Sequence, residues 1–553
     1  MGVGREGGEG SASLVSSVLD VASLGGVLRA VSFAANLALS RRLPPSALGV
    51  GLVHFGAFQG VFLFVGREGF RRGCLRSQVS GGRDEVRAVA RLMAVARLEV
   101  PFAAAVVALG AAAVFVALGG GASTSTSTVD GGAVRGAWAV FVGGVLLEIV
   151  GEPLQILAHN LMRFRLRAAV ECGALLARTA ASLLAFSRAH GQTHVDAVYA
   201  FAWGQVGYGA TFLCAYALYF LAIDRAYGVS TLLGLSEGGG EDDGRVRDSA
   251  EGREMMAMTR GHTWQAVQKA VLTQAENAVL VGFAPSLGEQ GTYGLVSSLG
   301  SLVVRFLFAP VEDVCFTYFS KQGKPGSGGA PLENLAMVVR GMALVGLAGA
   351  SFAPGYAVVA IRVLYGRAWA LETEAPALLG VYGGYVLCLA VLGVAEAYAQ
   401  ATASAADLRS RSRALGLLAA AGTAMQVLGV RRRGARGLVA ANCAVAISRA
   451  GYAVACAGHG APGGAAGLAL RCVPSTPTLT AFLASLLLTT WSRDHVLEVG
   501  AGGGGGDLAW DRAAAHVALG AACLGGVAAT VALAERPWIR QLRAAADARP
   551  KSD

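Results

Sequence analysis

The 553-residue chain is poor in charge, since only 15% of its residues are Asp, Glu, Lys or Arg and 54% are hydrophobic. Ordinary soluble domains carry about 25% charged residues, so this chain has too few charges to cover a large water-exposed surface. The mean hydropathy of +0.53 agrees with that argument. The composition therefore favours a membrane protein.

The chain also lacks the signatures of disulfide, zinc and glycosylation sites. Its nine cysteines are odd in number and scattered, and none forms a C-x-x-C pair. We therefore expect the cysteines to be buried as small apolar side chains, and we expect no disulfide framework and no metal site. No Asn-x-Ser/Thr sequon occurs in the sequence.

Signs of nucleotide, nucleic-acid or catalytic chemistry are equally scarce. The glycine-rich stretch at 2–7 follows no strand, and the one at 500–507 lacks the Lys-Ser/Thr of a phosphate loop. The net charge of +10 comes from arginines in short clusters between apolar runs, which form no basic stripe. No nucleophile–base–acid constellation is present. We expect no enzyme, no cofactor and no nucleic-acid partner.

Long apolar runs predict an all-α polytopic membrane protein. A bilayer crossing needs about 20 apolar residues. The runs give about fourteen spans, with twelve as the alternative, centred on residues Leu28, Phe58, Val107, Gly143, Leu175, Leu213, Val279, Val304, Leu347, Leu387, Leu417, Val445, Leu486 and Leu524.

A polar, glycine-rich stretch divides these spans into two sets. The pattern predicts an N-terminal bundle (1–223), a polar cytosolic linker (224–262), a C-terminal bundle (263–535) and a basic cytosolic tail (536–553). Arginines concentrate in every second loop, which by the positive-inside rule puts both termini in the cytosol. Arg41-Arg42 and the run 431–436 break that alternation.

Ionisable residues stand inside several of the predicted spans. The segment QGTYGLVSSLGSLVVRFLFAPVEDVCFTYFSK (290–321) is apolar enough to cross a bilayer, yet it carries Arg305, Glu312 and Asp313. A charge at mid-membrane costs about 2.5–3.5 kcal/mol on insertion scales, so such residues face protein or water. We therefore expect a polar interior, with structural ion pairs as the alternative role for these groups.

Separated motifs resemble the Rft family of the endoplasmic reticulum. The segment 290–321 follows that family's pattern QGxYxxxxNLGSLVxRxxFxPxEE, and FVGREGFRRGCLR is similar to its REAFRRAC segment. EPLQILAHNLMRFRLRAAVE, GVAEAYAQATAS, ANCAVAISR and RAVSFAANLALSRRLPPSALGV resemble further family segments in the same order. VLTQAENAV departs from the family's LLTEGER, because Gln274 and Asn277 replace an acidic and a basic residue.

The resemblance implies a fold and a function. The fold is that of the multidrug/oligosaccharidyl-lipid/polysaccharide flippase superfamily, with two pseudo-symmetric bundles around a central cavity. The implied function is flipping of dolichol-diphosphate-linked oligosaccharide from the cytosolic to the lumenal leaflet of the endoplasmic reticulum, for protein N-glycosylation. The expected partners are that glycolipid and membrane lipids.

The polar residues inside the spans are the candidates for binding this substrate. Arg29, Arg67 and Arg305 suit the diphosphate, because a guanidinium binds phosphate with two parallel hydrogen bonds. Glutamates would orient the arginines or accept sugar hydroxyls, and two asparagines would add hydrogen bonds. The full candidate set is Arg29, Asn36, Arg67, Glu68, Arg71, Glu152, Arg163, Arg167, Glu171, Glu276, Arg305, Glu312, Glu396, Asn442 and Arg449.

Other functions stay open at this point. A cavity of this kind would equally suit a non-transporting accessory factor of lipid-linked oligosaccharide assembly. An ion-coupled exporter of small molecules would share the fold, although an arginine-rich cavity disfavours cationic drugs. A glycosyltransferase would need an acidic motif in a substantial lumenal loop, and the predicted lumenal loops are short.

Overall fold

The computed structural model describes residues 30–74 apart from 32 and 36, 85–119, 131–189 apart from 162, 193–223, 249–322, 330–402, 405–458, 463–496 and 510–547. Within these ranges the regular secondary structure is helical and no strand occurs. The expectation of an all-α chain is confirmed.

The helices group into two compact units, one formed by Met1–Val281 with Ser286–Gly291 and the other by Gly282–Pro285 with Thr292–Asp553. The helix that begins at Ala250 thus belongs mainly to the first unit, whereas the sequence placed residues from 263 onward in the second bundle. The physical reason is close packing, since Thr259 and Thr263 of this helix lie against Gly73 and Gly69.

The first unit contains seven helices of twelve or more residues in the part of the chain that the structure describes. Their bounds are α1 (Pro45–Cys74), α2 (Glu85–Ala96), α3 (Glu99–Gly119), α4 (Gly131–Asn160), α5 (Phe164–Arg188), α6 (His194–Ile223) and α7 (Ala250–Phe283). Helix α1 includes two π-helical stretches, Gly49–His54 and Gln59–Leu63. Such stretches occur often at functional sites.

The second unit is built in the same way. Its helices are α8 (Leu287–Val303), which runs through a π-helical turn (Val304–Phe308) into α9 (Ala309–Gln322), then α10 (Ala330–Tyr365), α11 (Arg367–Leu371), α12 (Ala375–Ala401), α13 (Ala405–Gly458), α14 (Gly464–Cys472), α15 (Thr476–Val496), α16 (Trp510–Ala534) and α17 (Arg536–Asp547). Residues Ser286–Gly291, at the start of α8, belong to the first unit.

Ten helices in the described residues are long and apolar enough to cross a membrane, or eleven if the pair α14–α15, bent by 54°, is one span. They include the predicted spans at Phe58, Val107 and Gly143. The predicted span at Leu28 lies outside the described residues, and Val279 lies on α7, which is not among the ten. The count of fourteen stays a prediction.

Helix α13 is a helical hairpin. Its apolar part runs for 46 residues, about 69 Å at 1.5 Å per residue and far more than one crossing needs. The chain reverses at Gly434, whose φ of 58° is a left-handed conformation that favours glycine. Gly429 and Gly437 then pack backbone to backbone. The two predicted spans in this stretch therefore lie on separate arms.

Aromatic rings pack inside the first unit, and apolar side chains cover part of its outer surface. Phe55 stacks on Phe141 with ring centroids 3.9 Å apart and meets Trp138 edge-on at 4.8 Å. Leu109 and Val116 on α3 are 72% and 74% exposed, as expected for side chains that face lipid. A helix that is apolar on all sides, as α3 is, suits a membrane span.

Glu535 ties three elements together at one end of the second unit. It is buried and accepts hydrogen bonds from the backbone N–H of Ser475, at 2.7 Å, and from the Thr478 hydroxyl, at 3.1 Å. Arg340 of α10 is its ion-pair partner at 3.4 Å. Burial raises the pKa of the Glu535 carboxyl, but these hydrogen bonds and Arg340 outweigh it, so the net pKa is lowered. The carboxylate thereby satisfies donors at the start of α15.

Candidate functional site

A network of charged and amide side chains lies inside the first unit and joins α1, α4 and α6. Helix α1 contributes Arg67 and Arg71, which are one turn apart and therefore share a face. Helix α4 contributes Glu148, Glu152 and Gln155, whose spacing of four and three residues also places them on one face.

Arg67 bridges the two glutamates of α4. Its Nη1 lies 2.7 Å from Glu148 Oε1 and 3.3 Å from Glu152 Oε1. Both carboxylates are almost fully buried, with exposures of 4% and 0%. A buried carboxylate needs a partner of opposite charge, and here a single guanidinium serves two.

Arg71 holds Glu152 with two parallel hydrogen bonds. Its Nε donates to Oε2 at 2.8 Å and its Nη2 donates to Oε1 at 2.7 Å. The same Nη2 also donates to the amide oxygen of Gln155. The paired geometry fixes the plane of this guanidinium, because the carboxylate accepts from both nitrogens at once.

Amide side chains extend the network to α6 and α5. Gln205 of α6 is fully buried and donates to Glu148 Oε2 at 2.9 Å. Gln155 donates to Glu171 Oε1 at 3.2 Å, and Arg167 donates its Nε to the same oxygen at 2.8 Å. We call Arg67, Arg71, Glu148, Glu152, Gln155 and Gln205 the buried charge network.

Glycines on α4 and α6 allow the close approach that the network requires. A Cβ on Gly144 would lie only 2.6 Å from the carbonyl carbon of Gln205, and Gly209 packs against the backbone oxygen of Gly144. Real Cβ atoms essentially never come this close to backbone. The glycine pair thus brings Gln205 within hydrogen-bond reach of α4.

Glu99, at the start of α3, is a further buried acid near this network. It is fully buried, and neither of its carboxylate oxygens has a hydrogen-bond partner among the described residues. Arg71, Arg67 and Glu152 are its charged neighbours. An ionised carboxylate without a hydrogen bond is costly in such a place.

A second charged pair lies in the second unit. Arg449, on the second arm of α13, donates Nε and Nη2 to the two carboxylate oxygens of Glu396 on α12, at 2.9 and 2.8 Å. Asn442 of the same arm accepts from Gln426 at 2.7 Å and donates to Tyr293 at 3.4 Å.

The remaining predicted residues occupy other positions. Arg305 is exposed in the π-helical turn, and Glu312 is half-buried beside Gly393 of α12. Glu276 is half-buried on α7, and Arg163 is exposed at the start of α5. Arg29 and Asn36 lie outside the described residues. Glu68 pairs with Arg72 one turn along α1, with 2.6 Å between Oε1 and Nε.

Hydrogen bonds connect five of the predicted site residues, directly or through Gln155: Arg67, Arg71, Glu152, Arg167 and Glu171. The candidate set omitted Glu148, Gln155, Gln205 and Glu99, which the structure adds. The sequence position of Glu148 pointed to a shared site, since Glu148 precedes Glu152 by one helical turn. Nothing in the sequence pointed to Gln205, because a single amide in an apolar segment does not reveal its partner. In the described residues no group of three or more His, Cys, Asp or Glu could hold a metal ion.

The chain is similar in fold to two solved transporters. The lipid II flippase MurJ, in an inward closed conformation, superposes with a TM-score of 0.57 over 94% of this chain and 100% of its own, at 10% identity. An inward-facing multidrug resistance MATE family transporter of the MOP superfamily superposes with a TM-score of 0.50, over 77% of this chain and 93% of its own, at 14% identity. At these identities the likeness shows the fold alone.

Sequence comparison gives the family. Three relatives are each named Man(5)GlcNAc(2)-PP-dolichol translocation protein RFT1. The mouse protein is 26% identical, and the match covers 97% of both chains. The Dictyostelium discoideum protein is 24% identical, over 69% of this chain and 74% of its own length. The Yarrowia lipolytica protein is 30% identical, over 57% of this chain and 51% of its own length. The relatives are thus translocation proteins by name and not enzymes. The profile described as Rft protein matches residues 23–545. The chain therefore belongs to the Rft protein family.

Proposed function

We propose that this protein moves a dolichol-diphosphate-linked oligosaccharide across the endoplasmic reticulum membrane, from the cytosolic to the lumenal leaflet, for protein N-glycosylation. The names of the relatives and the flippase-like fold support this proposal. The observation that carries it is the buried charge network within a membrane-spanning bundle.

The substrate explains why such a network belongs in a membrane. A polyisoprenoid tail can stay in lipid, but the diphosphate and its sugars must cross about 30 Å of hydrocarbon. Each charge exposed to that hydrocarbon costs several kcal/mol, so the passage needs groups that replace water around phosphate and sugar. Guanidinium and carboxylate side chains do so, for phosphate oxygens and sugar hydroxyls respectively.

Pairing keeps the arginines charged and folded into the bundle when no substrate is bound. Glu148 and Glu152 offset the charges of Arg67 and Arg71 and fix their positions. A diphosphate brings acceptor oxygens of the same kind, so it can share these donors without a new desolvation step. Arg29, Arg67 and Arg305 remain our proposed ligands of the anionic head, with Glu276, Glu396 and the asparagines as sugar-binding groups.

Orientation and energy source belong to the same proposal. The distribution of arginines supports a multi-pass protein of the endoplasmic reticulum with both termini in the cytosol. The sequence contains no nucleotide-binding motif, which favours transport that is driven by a gradient or needs no energy input.

Complementation tests the proposal in cells. The full chain is expressed in cells depleted of their own relative, and N-glycan occupancy and accumulated lipid-linked oligosaccharide are measured. Wild type is expected to restore occupancy, while the double variant Arg67→Ala, Arg305→Ala is expected to fail at equal membrane abundance. Arg188→Ala, an exposed arginine at the far end of α5, is the matched control. Full restoration by the double variant would contradict the proposed head-binding role.

A further inference from the structure

A cavity of about 200 Å³ opens beside the buried charge network, at one end of the first unit. Its walls are Glu68, Arg71, Arg72, Gln155, Ile156, His159 and Arg167, from α1, α4 and α5. A space of roughly 10–15 Å³ already holds one water on this type of measure, so the cavity is far larger than a structural-water site.

The cavity lining is mostly cationic. Three arginines face one acid, Glu68, and the imidazole of His159 adds a further polar group. The other acids that pair with these arginines, Glu152 and Glu171, do not line the cavity. They pair with Arg71 and Arg167 without contributing to the cavity wall, so the wall itself carries three positive charges and one negative charge.

Two of these three arginines, Arg72 and Arg167, use only Nε in their ion pairs. Glu68 accepts from the Nε of Arg72, and Glu171 accepts from the Nε of Arg167. Both of these bonds leave the two terminal nitrogens of the guanidinium outside the pair. The side chains of Arg71, Arg72 and Arg167 are 21%, 47% and 34% exposed, so an occupant can reach them. Fixed arginine forks are preorganised for phosphate oxygens.

The depth of the cavity fits a lipid phosphate. Arg71 lies three residues before the end of α1, His159 one residue before the end of α4, and Arg167 three residues after the start of α5. At 1.5 Å per residue, all three Cα atoms lie within about 5 Å of a helix end. Helix ends in a membrane bundle lie at the headgroup level, where lipid phosphates are.

We propose that this cavity is a phosphate-binding site that receives the phosphate or diphosphate group of a membrane lipid. In its substrate form, which rests on the proposed function, it is the place where the dolichol diphosphate first docks at the membrane surface. Arg72 and Arg167 bind the phosphate oxygens directly, and Arg71 connects the site to the buried charge network.

Glu68 distinguishes a structural ion pair from a phosphate site, because the two roles predict different effects of its substitution on phosphate binding. If Glu68 and Arg72 only stabilise the fold, Glu68→Gln and Arg72→Gln both weaken the same pair and have similar effects. In a phosphate site, Glu68 repels the ligand while Arg72 attracts it. Glu68→Gln is then expected to tighten phosphate binding and Arg72→Gln to weaken it.

The experiment measures binding of radiolabelled pyrophosphate to the purified full chain by equilibrium dialysis at fixed ionic strength. We expect the double variant Arg72→Gln, Arg167→Gln to bind at least tenfold more weakly than wild type, and Glu68→Gln to bind several-fold more tightly. Arg188→Gln makes the same charge change about 30 Å away on α5 and should bind like wild type. The double variant Arg72→Lys, Arg167→Lys keeps both positive charges but loses the planar guanidinium groups with their paired donors. It replaces the double glutamine variant in the experiment if that variant does not fold.

Binding measurements with whole lipids identify which kind of lipid supplies the phosphate. Native mass spectrometry compares retention of dolichyl diphosphate, phosphatidic acid and phosphatidylcholine by the same variants. Arginine-dependent retention of dolichyl diphosphate supports a substrate site, and arginine-dependent retention of phosphatidic acid alone supports a phospholipid headgroup site. Equal pyrophosphate binding by wild type and the double glutamine variant, or equal losses in Glu68→Gln and Arg72→Gln, would overturn the inference. Binding without transport would instead contradict only the proposed function.

Discussion

Removal of the Glu152 carboxylate tests whether the buried charge network holds the first unit together. Glu152 is fully buried and accepts from Arg71 twice and from Arg67 once. Glu152→Ala therefore leaves two guanidinium groups without their shared acceptor. The expected result is a first unit that unfolds more easily, with no change in the rest of the chain.

The size of the effect follows from the geometry. Breaking a buried ion pair by removing one partner costs about 3–5 kcal/mol. Here Arg67 keeps Glu148 and Arg71 keeps Gln155, so we expect a loss of about 3 kcal/mol, near the lower end. The Glu68–Arg72 pair is solvent-accessible, since the Arg72 side chain is 47% exposed. Exposed i,i+4 ion pairs of this kind contribute only about 0.3–0.5 kcal/mol to stability.

Cys74 provides the readout. Its side chain is fully buried in the first unit's core, together with Leu92 and Leu157. In a background in which Cys74 is the only cysteine, the rate of modification by a thiol-reactive fluorogenic dye reports opening of this unit. A loss of about 3 kcal/mol raises the open fraction by roughly a hundredfold, since 1.4 kcal/mol is tenfold. Glu68→Ala, the matched control, should change it by about twofold.

A double-substitution cycle separates pairing from packing. Arg71→Met combined with Glu152→Met removes both charges, and well-packed apolar residues can replace a buried pair at little cost. The double variant should therefore be more stable than either single variant. Equal labelling of Cys74 in Glu152→Ala and Glu68→Ala, or additive losses in the cycle, would show that the buried charge network does not hold the first unit together.

Three further predictions concern single positions. Gly144→Leu should abolish folding, and transport with it, because a side chain at this position meets the backbone of α6. Loss of protease resistance in the purified protein would report the loss of folding. Glu99→Gln should keep or raise thermal stability, since it removes a buried carboxyl that has no hydrogen-bond partner among the described residues; a clear loss in a melting experiment would contradict this. Because the pKa of Glu535 is lowered, its stabilising effect is present above the unfolded-state pKa of about 4.3 and is lost as pH falls through the folded value. Glu535→Gln should therefore lower the melting temperature at pH 7 and flatten its fall below pH 5, and equal pH profiles for the two proteins would show the reasoning to be wrong.

The sequence predicted the local features of the fold well. Apolar runs of about 20 residues located the membrane-crossing helices that the described residues contain. The ion pairs Glu68–Arg72 and Arg167–Glu171 likewise join residues four apart on one helix. Both features depend only on neighbours in the chain, which a single sequence contains.

Pairings between distant helices were not predictable in the same way. Glu396 and Arg449 are 53 residues apart, and Gln205 and Glu148 are 57 apart, so their contacts depend on helix rotation. Glu99 stands at the start of an apolar helix, where an exposed acid is the ordinary expectation. The place of α7 in the first unit depends on Gly69 and Gly73, whose packing partners cannot be read from α1 alone.

Reconstitution into liposomes measures directly whether the protein moves the glycolipid between leaflets. Purified protein is placed in vesicles that contain a fluorescent dolichol-diphosphate oligosaccharide, and the fraction of this lipid accessible from outside is followed over time. Empty vesicles and the Arg67→Ala, Arg305→Ala variant are the controls. We expect faster exposure of the inner-leaflet lipid with wild type and loss of that acceleration in the variant. No acceleration by folded wild-type protein that still binds the lipid would contradict it and support an accessory role in oligosaccharide-lipid assembly.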